Sequence, residues 1–485
     1  MESVSRETAR ADGLARETLA VHPWAGHGRA HRTLNVPLYL SSVWEAGDLG
    51  EMADLFAHEP DRGFYTRFGH PTVRAAEERI AALEGAEDAL LFASGMGAIS
   101  TALLAVLTAG DHVVAHRAIF GQTIRFLDDL ADRFGVRVTY VDAADPSAVT
   151  AAMTGGTRLL YLETPSNPLL DVLDVAALSA MAHERGTLVF VDSTFGGPLV
   201  QRPVELGADL SLQSASKSLA GHADLLAGSA AGSASLIARI RDMRVLTGPA
   251  LDPHTCWLLL RGLQTLPLRI HAQCEAALSV ARILDSSPEV EIVRYPLLES
   301  HPAFDVARRQ MSAGGTVVSF ALRGGAEGAR RFVAGLSWIP LARSLGSVRT
   351  TLEVPGELDF TARELGERAA GFPIPPGLIR LSVGAEAPAD IDRDIRRGLA
   401  AVAEWLDGRS ADRGASASTE PPVSMNAPAS AATQSPGSTG STEALASAPT
   451  DSALATDALP SSVTASADPS DRTASAEIAT EEVTA

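Results

Sequence analysis

The chain predicts an α/β protein: a mostly parallel sheet covered by helices on both faces, followed by a smaller α+β region. Three observations carry that prediction. From Asp111 onward, strand-like and helix-like runs alternate. The strand-like runs are almost continuously apolar, as expected for strands buried on both faces. Near Thr247–Pro253, "TGPALDP", the alternation stops and a different texture begins.

The elements follow in order. Ala89 to Gly110, "ALLFASGMGAISTALLAVLTAG", is uncharged and long enough to cross a bilayer. Ser94, Gly95 and Gly97 break it into a short strand, a turn and a helix, so a buried core segment is predicted and no membrane span. Next come "HVVAH" (112–116), a helical stretch from Gly121 to Phe134, and "VRVTYVD" (136–142). A short helix near Pro146 leads to "TRLLYLE" (157–163), and a helix over Val172–Arg185 leads to "TLVFVDS" (187–193) and "ADLSLQS" (208–214). Beyond the change of texture, a long helical stretch runs to about Asp285. Then come "TVVSFAL" (316–322), a helix, "LIRLSVG" (378–384) and a last helix through Trp405.

Composition narrows the function. Apolar residues make up 46% of the 485, enough for a substantial core. A formal charge of −19 argues against nucleic acid or an anionic membrane as partner, since both require a basic footprint. Cys256 and Cys274 are the only cysteines, and the start "MESVSRETARADGLARE" has no apolar signal core. A reducing, cytoplasmic location without disulfides is expected. After Gly408 the chain turns to Ala, Ser, Thr, Pro and acids without one aromatic residue, so 409–485 reads as a disordered acidic tail.

One residue stands apart. Lys217, in "SLQSASKSLAGHAD", is the only lysine; the other 39 of the 40 Lys and Arg residues are arginine. Arginine replaces lysine in most surface roles but cannot lose a proton near neutral pH and attack a carbonyl carbon. A lysine kept among Ser214, Ser216 and Ser218 is therefore a candidate imine former. Gly95 and Met96, in "FASGMGAIS", would present backbone N–H groups to an anion, joined by the hydroxyls of Ser214 and Ser216. Asp192 ends an apolar strand at the edge where α/β sheets collect ligands, and suits a pyridinium partner. An imine lysine, a phosphate cradle and such an acid together specify pyridoxal phosphate. His22, His27 and His31 lie in a Pro/Gly-containing loop without acid or thiol companions, so no metal site is expected.

The order and spacing of these motifs resemble the Cys/Met-metabolism pyridoxal-phosphate enzymes over roughly residues 14–407. The resemblance is carried by "ETLAVHPW", "VPLYLSSVW", "YTRFGHPT", "FASGMGAIS", "IFGQT", "LETPSNPLLDVLD", "VDSTF", "SASKSLAGHAD", "SLGSV" and "LIRLSVGAE". It implies the aminotransferase type I fold, with an N-terminal arm (1–65) serving the neighbouring subunit. A large cofactor-binding domain (66–250) and a small C-terminal domain (251–408) would follow. It further implies that Lys217 carries the cofactor, that Asp192 holds its ring nitrogen, and that Gly95, Met96, Ser214 and Ser216 hold its phosphate. Tyr65 and Arg67 would reach a neighbour's phosphate, which makes a homodimer the smallest working unit and a homotetramer its usual assembly. Asn167, Ser344 and Arg380 would bind the substrate, a small amino acid gripped at its α-carboxylate by the Arg380 fork.

Four departures from the family pattern fall near the substrate side. Phe120 replaces the usual ring-stacking Tyr, His70 an Asn, and Ser218 a residue that is often Tyr. The stretch from Ser347 to Gly377 lacks a Thr-His element, and Arg343 and Arg349 stand where acids or neutral residues are common. The expected reaction is γ-replacement on an acylated homoserine. A γ- or β-lyase is the alternative, and a non-catalytic scaffold relative a third.

Overall fold

The computed structural model describes residues 14–21, 33–58, 64–355 and 374–417, and one compact unit takes in all of them. His22, His27 and His31 lie outside the described residues, as do positions 356–373 and 418–485. Among the described residues no helix is long and apolar enough to cross a membrane, and no cluster of His, Cys, Asp and Glu could hold a metal.

Seven strands form the larger sheet: β1 (Asp88–Phe92), β2 (His112–His116), β3 (Arg137–Val141), β4 (Thr157–Glu163), β5 (Leu188–Asp192), β6 (Leu210–Gln213) and β7 (Gly228–Gly232). Their spatial order is β1-β7-β6-β5-β4-β2-β3. The five strands from β6 to β3 are parallel, whereas β7 is reversed and pairs antiparallel with both β6 and the edge strand β1. Val113, Leu159, Phe190 and Leu210 on one side, and Val114, Leu160, Val189 and Val191 on the other, are all fully buried. Complete burial of such side chains contributes about 1.5–3 kcal/mol each. Two apolar faces need two helical layers, and this is why the strands read as continuous apolar runs.

The second sheet contains β8 (Val290–Arg294), β9 (Val317–Leu322), β10 (Thr351–Glu353) and β11 (Leu378–Ser382), in the order β10-β11-β9-β8 and wholly antiparallel. The long helical stretch expected after Pro253 is two helices, Pro253–Gln264 and Leu266–Asp285. Pro267 explains the break: proline fits the first turn of a new helix and not the middle of a continuing one. The last helix runs from Pro388 to Ala417, past the Gly408 boundary expected for the tail. The stretch "RSADRGASA" is rich enough in Ala and Arg to prolong it.

Candidate active site

The carboxyl ends of the parallel strands carry the polar residues. Glu163 and Asp192 are register partners at the ends of β4 and β5. Ser214, Ser216 and Lys217 follow directly after β6. Opposite them, Ser94 caps the helix Gly95–Val106, its Oγ accepting the Gly97 N–H at 3.0 Å. The N–H groups of Gly95 and Met96 then lack an intrahelical acceptor, as first-turn donors do. This turn can sit so close to the sheet because β7 presents Gly228, which has no side chain, beneath it. A Cβ at Gly228 would fall 2.1 Å from the Ser94 carbonyl oxygen.

Gly95, Met96, Phe120, Asn167, Asp192, Ser214, Ser216, Lys217, Ser344 and Arg380 all line one cavity of roughly 650 Å3. Tyr65 and Arg67 do not. Arg67 donates to the Val245 carbonyl at 2.8 Å and lies over the rings of Tyr65 and Phe68. Of the departures, Phe120 and Arg343 line the cavity, and Arg349 does not. His70 has a local explanation: its Nδ1 accepts the Thr72 N–H at 3.1 Å and caps the helix Pro71–Glu84, a task Asn also performs.

Lys217 Nζ donates to Ser344 Oγ at 2.9 Å. Burial lowers its pKa, and Arg380 and Arg343 press in the same direction against the opposing pull of Glu353. Less protonation is what an attacking amine needs. The supporting backbone is tightly held. Ser216 Oγ donates to the Ala227 carbonyl at 3.1 Å and accepts its N–H at 2.9 Å. Ser344 has a φ of 126°, rare for a residue with a side chain, and such strain costs of order 1–3 kcal/mol. Gly346, at φ 76°, presses its loop onto the lysine segment, and a Cβ there would lie 2.5 Å from the Ser218 nitrogen.

Asp192 is buried, and its Oδ1 accepts both the N–H (3.0 Å) and the hydroxyl (2.6 Å) of Thr194. The same Thr194 Oγ1 accepts the Ser214 N–H at 2.9 Å. Asp192 Oδ2 receives no hydrogen bond from any described residue, and burial drives the carboxyl's pKa upward. Asp192 lines the cavity, so an incoming N–H donor can reach this oxygen. Glu163 Oε2 accepts the Phe120 N–H at 2.6 Å and its Oε1 the Asn167 N–H at 3.2 Å. Burial and the nearby Asp192 push this carboxyl far up, so its neutral form is favoured.

Arg380 is buried beside them. It donates to Asn167 Oδ1 at 2.8 Å, to the Ser344 carbonyl at 3.1 Å and to Glu353 Oε2 at 2.5 Å, and its Nε is buried without an acceptor. Glu353 also meets Arg343 Nε at 3.3 Å. Sequence reasoning does not single out Glu163, Thr194 or Glu353. Glu163 carries a signal, an acid closing an apolar strand as Asp192 does, and Thr194 lies two residues beyond Asp192. Glu353 carries none, since its partners Arg343 and Arg380 are distant in sequence.

This donor set fits pyridoxal phosphate: an amine short of a proton, open first-turn N–H groups beside serine hydroxyls, and a carboxylate oxygen awaiting an N–H. Comparison with known proteins agrees. Residues 17–400 match the family described as Cys/Met metabolism PLP-dependent enzyme. An L-methionine gamma-lyase of Pseudomonas putida is 40% identical over 78% of this chain and 94% of its own length. An O-succinylhomoserine sulfhydrylase of Pseudomonas aeruginosa is 39% identical over 81% and 96%. Among solved structures, a cystathionine gamma synthase from Xanthomonas oryzae pv. oryzae superposes with a TM-score of 0.76 at 34% identity, covering 81% of this chain and 99% of that one. With its two sheets, its strand-end cavity and these relatives, the chain belongs to the pyridoxal-phosphate-dependent enzymes of Cys/Met metabolism, in the group of γ-lyases and synthases that make or break carbon–sulfur bonds.

Proposed function

We propose that the enzyme carries out γ-replacement: an acylated homoserine loses its acyl group and a thiol or sulfide takes its place. One observation favours this over elimination. Phe120 lines the cavity and offers no hydroxyl there. A carboxylate leaves without protonation, whereas a thiolate leaves better when an acid assists it. A wall without a phenol suits the first.

The roles follow from the geometry. Gly95 and Met96 N–H groups with the Ser214 hydroxyl would hold the phosphate, joined by Ser216 once its hydroxyl turns from the Ala227 carbonyl, and Asp192 Oδ2 would hold the ring nitrogen. When bound, the cofactor supplies a conjugated electron sink for charge developing at the substrate's Cα. Arg380, oriented by Asn167, Ser344 and Glu353, would grip the α-carboxylate in a planar fork. Lys217 Nζ would carry protons between carbons of the substrate, with Ser344 Oγ steering it between transfers. General acid–base assistance of this kind typically contributes about 10²–10⁴-fold.

The reading that competes is elimination to a 2-oxo acid and ammonia, the chemistry of a γ-lyase, which is what several relatives are named. Product analysis of an acylated homoserine with and without added thiol separates the two. Replacement gives a thioether whenever thiol is present; 2-oxo acid and ammonia formed at the same rate with or without thiol would establish elimination. Borohydride should fix the cofactor's mass on the peptide holding Lys217, and Lys217→Ala should abolish that adduct. An adduct that survives in this variant would remove Lys217 from the proposal.

A further inference from the structure

We propose that Arg79 and Arg261 form an anion site, separate from the cofactor cavity, that takes a small carboxylate with an apolar body. The site is independent of which reaction the enzyme performs.

Four arginines are buried among the described residues: Arg79, Arg244, Arg269 and Arg380. Three of them have acceptors within the chain. Arg244 pairs with Glu77 at 2.7 Å, Arg269 donates to the carbonyls of Ser218, Leu219 and Gly262, and Arg380 meets Asn167, Ser344 and Glu353. Arg79 differs. It is 2% exposed, and its Nε and Nη1 are buried without an acceptor. Burial lowers its pKa to about 10, and no described carboxylate opposes the shift. A guanidinium held in this way is costly until an acceptor reaches it.

Helical spacing puts Arg79 there. In the helix Pro71–Glu84, Ala75, Ala76, Ile80 and Leu83 are buried with it, so position 79 belongs to the face turned inward. On the helix Pro253–Gln264, Trp257, Leu260, Arg261 and Gln264 fall at i, i+3, i+4 and i+7 and share one face. These four residues, Arg79, Leu34 and Val36 line a cavity of roughly 300 Å3. None of them lines the cavity that holds Lys217. Trp257 Nε1 donates to the Val36 carbonyl at 3.2 Å, which fixes the indole as one wall.

The lining selects the ligand. Two guanidinium groups favour an anion, and a planar carboxylate matches the guanidinium fork. Leu34, Val36, Leu260 and the Trp257 ring suit a hydrocarbon body, whereas the many hydrated oxygens of a phosphate would meet apolar walls on those sides.

Isocaproate is the probe: it carries a carboxylate and a branched apolar body but no amino group with which to join the cofactor. Calorimetric titration of the holoenzyme should show saturable binding of isocaproate, with isocaproamide and inorganic phosphate each about tenfold weaker or more. Arg380→Ala should leave that binding in place, whereas Arg79→Met should abolish it. Without ligand, Arg79→Met should also melt higher than the parent, because it removes a buried charge that no described residue pairs. No saturable binding, equal affinity for the amide, or binding lost in Arg380→Ala and kept in Arg79→Met overturns the site. Phosphate bound through Arg79 as tightly as isocaproate overturns the carboxylate class. An Arg79→Met protein that melts lower or fails to fold would mean that the chain itself pairs this guanidinium, and that result overturns the proposal as well.

Discussion

At the scale of single residues, the molecule keeps several charged groups under cover, and their environments set their chemistry. Glu84 is the clearest case outside the cavity. Its side chain is 1% exposed and accepts a hydrogen bond from Gln213, the residue just before Ser214. Burial pushes its pKa from 4.5 up to about 7, against the opposing influence of Gln213 and Arg202. A folded-state pKa above the unfolded one means the neutral acid is favoured in the fold. The stability this group contributes is therefore complete below about pH 4.5 and is lost as pH rises through about 7. Glu84→Gln keeps the acceptor and removes the titration. The variant should match the parent below pH 4.5 and exceed it by ~2–4 kcal/mol at pH 8. Melting temperatures across that range check this, and a difference that stays constant with pH would mean Glu84 is charged in the fold. Nothing in "AALEGAED" marks this glutamate as buried, because a helix-end acid next to glycine reads as solvated. The lysine is legible for the opposite reason, since its scarcity is itself a signal. Glu353 becomes visible only when folding brings Arg343 and Arg380 to it.

At the scale of elements, periodicity exposes the parallel core well. The helix Gly121–Phe134 and strands β2 and β4 have the bounds the sequence predicts. Such runs are long, apolar and closed by turn residues, so local preference and tertiary burial agree. Strands β8 and β10 are not legible in this way. Val290–Arg294 alternates with charges, and Thr351–Glu353 is three residues long. Strand β7 escapes prediction for a more instructive reason. "GSAAG" has poor strand propensity, and what dictates its composition is close approach of other backbone. A Cβ at Gly228 meets the Ser94 carbonyl at 2.1 Å, and one at Gly232 meets the Asp209 carbonyl at 2.5 Å. The strand is thus small-sided so that the Ser94–Gly97 turn can lie against it. Gly228→Val should therefore displace that turn and weaken cofactor retention by at least tenfold. Ala230→Val, at a buried neighbour in the Leu90 and Leu212 cluster, should chiefly lower melting temperature through overpacking, at a cost of about 1–3 kcal/mol. Cofactor dissociation measured by equilibrium dialysis discriminates the two. Equal retention in both variants would show that β7 is a general packing strand with no specific bearing on the turn.

At the scale of the whole molecule, several of the exposed large apolar side chains precede Tyr65: Leu40 is 76% exposed, Leu49 85% and Phe56 65%, while others, such as Leu246 and Leu268, lie elsewhere. Tyr65 and Arg67 are the two expected cofactor residues that stay outside their own chain's cavity. Exposed apolar side chains that gather in one segment suit burial against another chain. We propose that residues 1–65 form an arm serving a second copy, that 66–250 and 251–408 act as large and small domains, and that Tyr65 and Arg67 complete the neighbour's site. In a two-fold dimer each site then draws Lys217 from one subunit and Arg67 from the other. Mixing subunits tests the arrangement with two defective proteins. Lys217→Ala and Arg67→Ala homodimers should each be nearly inactive. In a hybrid, the site built on the intact Lys217 receives its arginine from the subunit that kept Arg67, and the other site holds both defects. Random assortment makes half of the dimers hybrids with one good site in two, so co-expression should restore about a quarter of the parent activity. Hybrids purified by two different tags yet showing no recovery would place Arg67 in its own subunit's chemistry or in none. Recovery independent of hybrid formation would mean that Arg67→Ala acts only on folding.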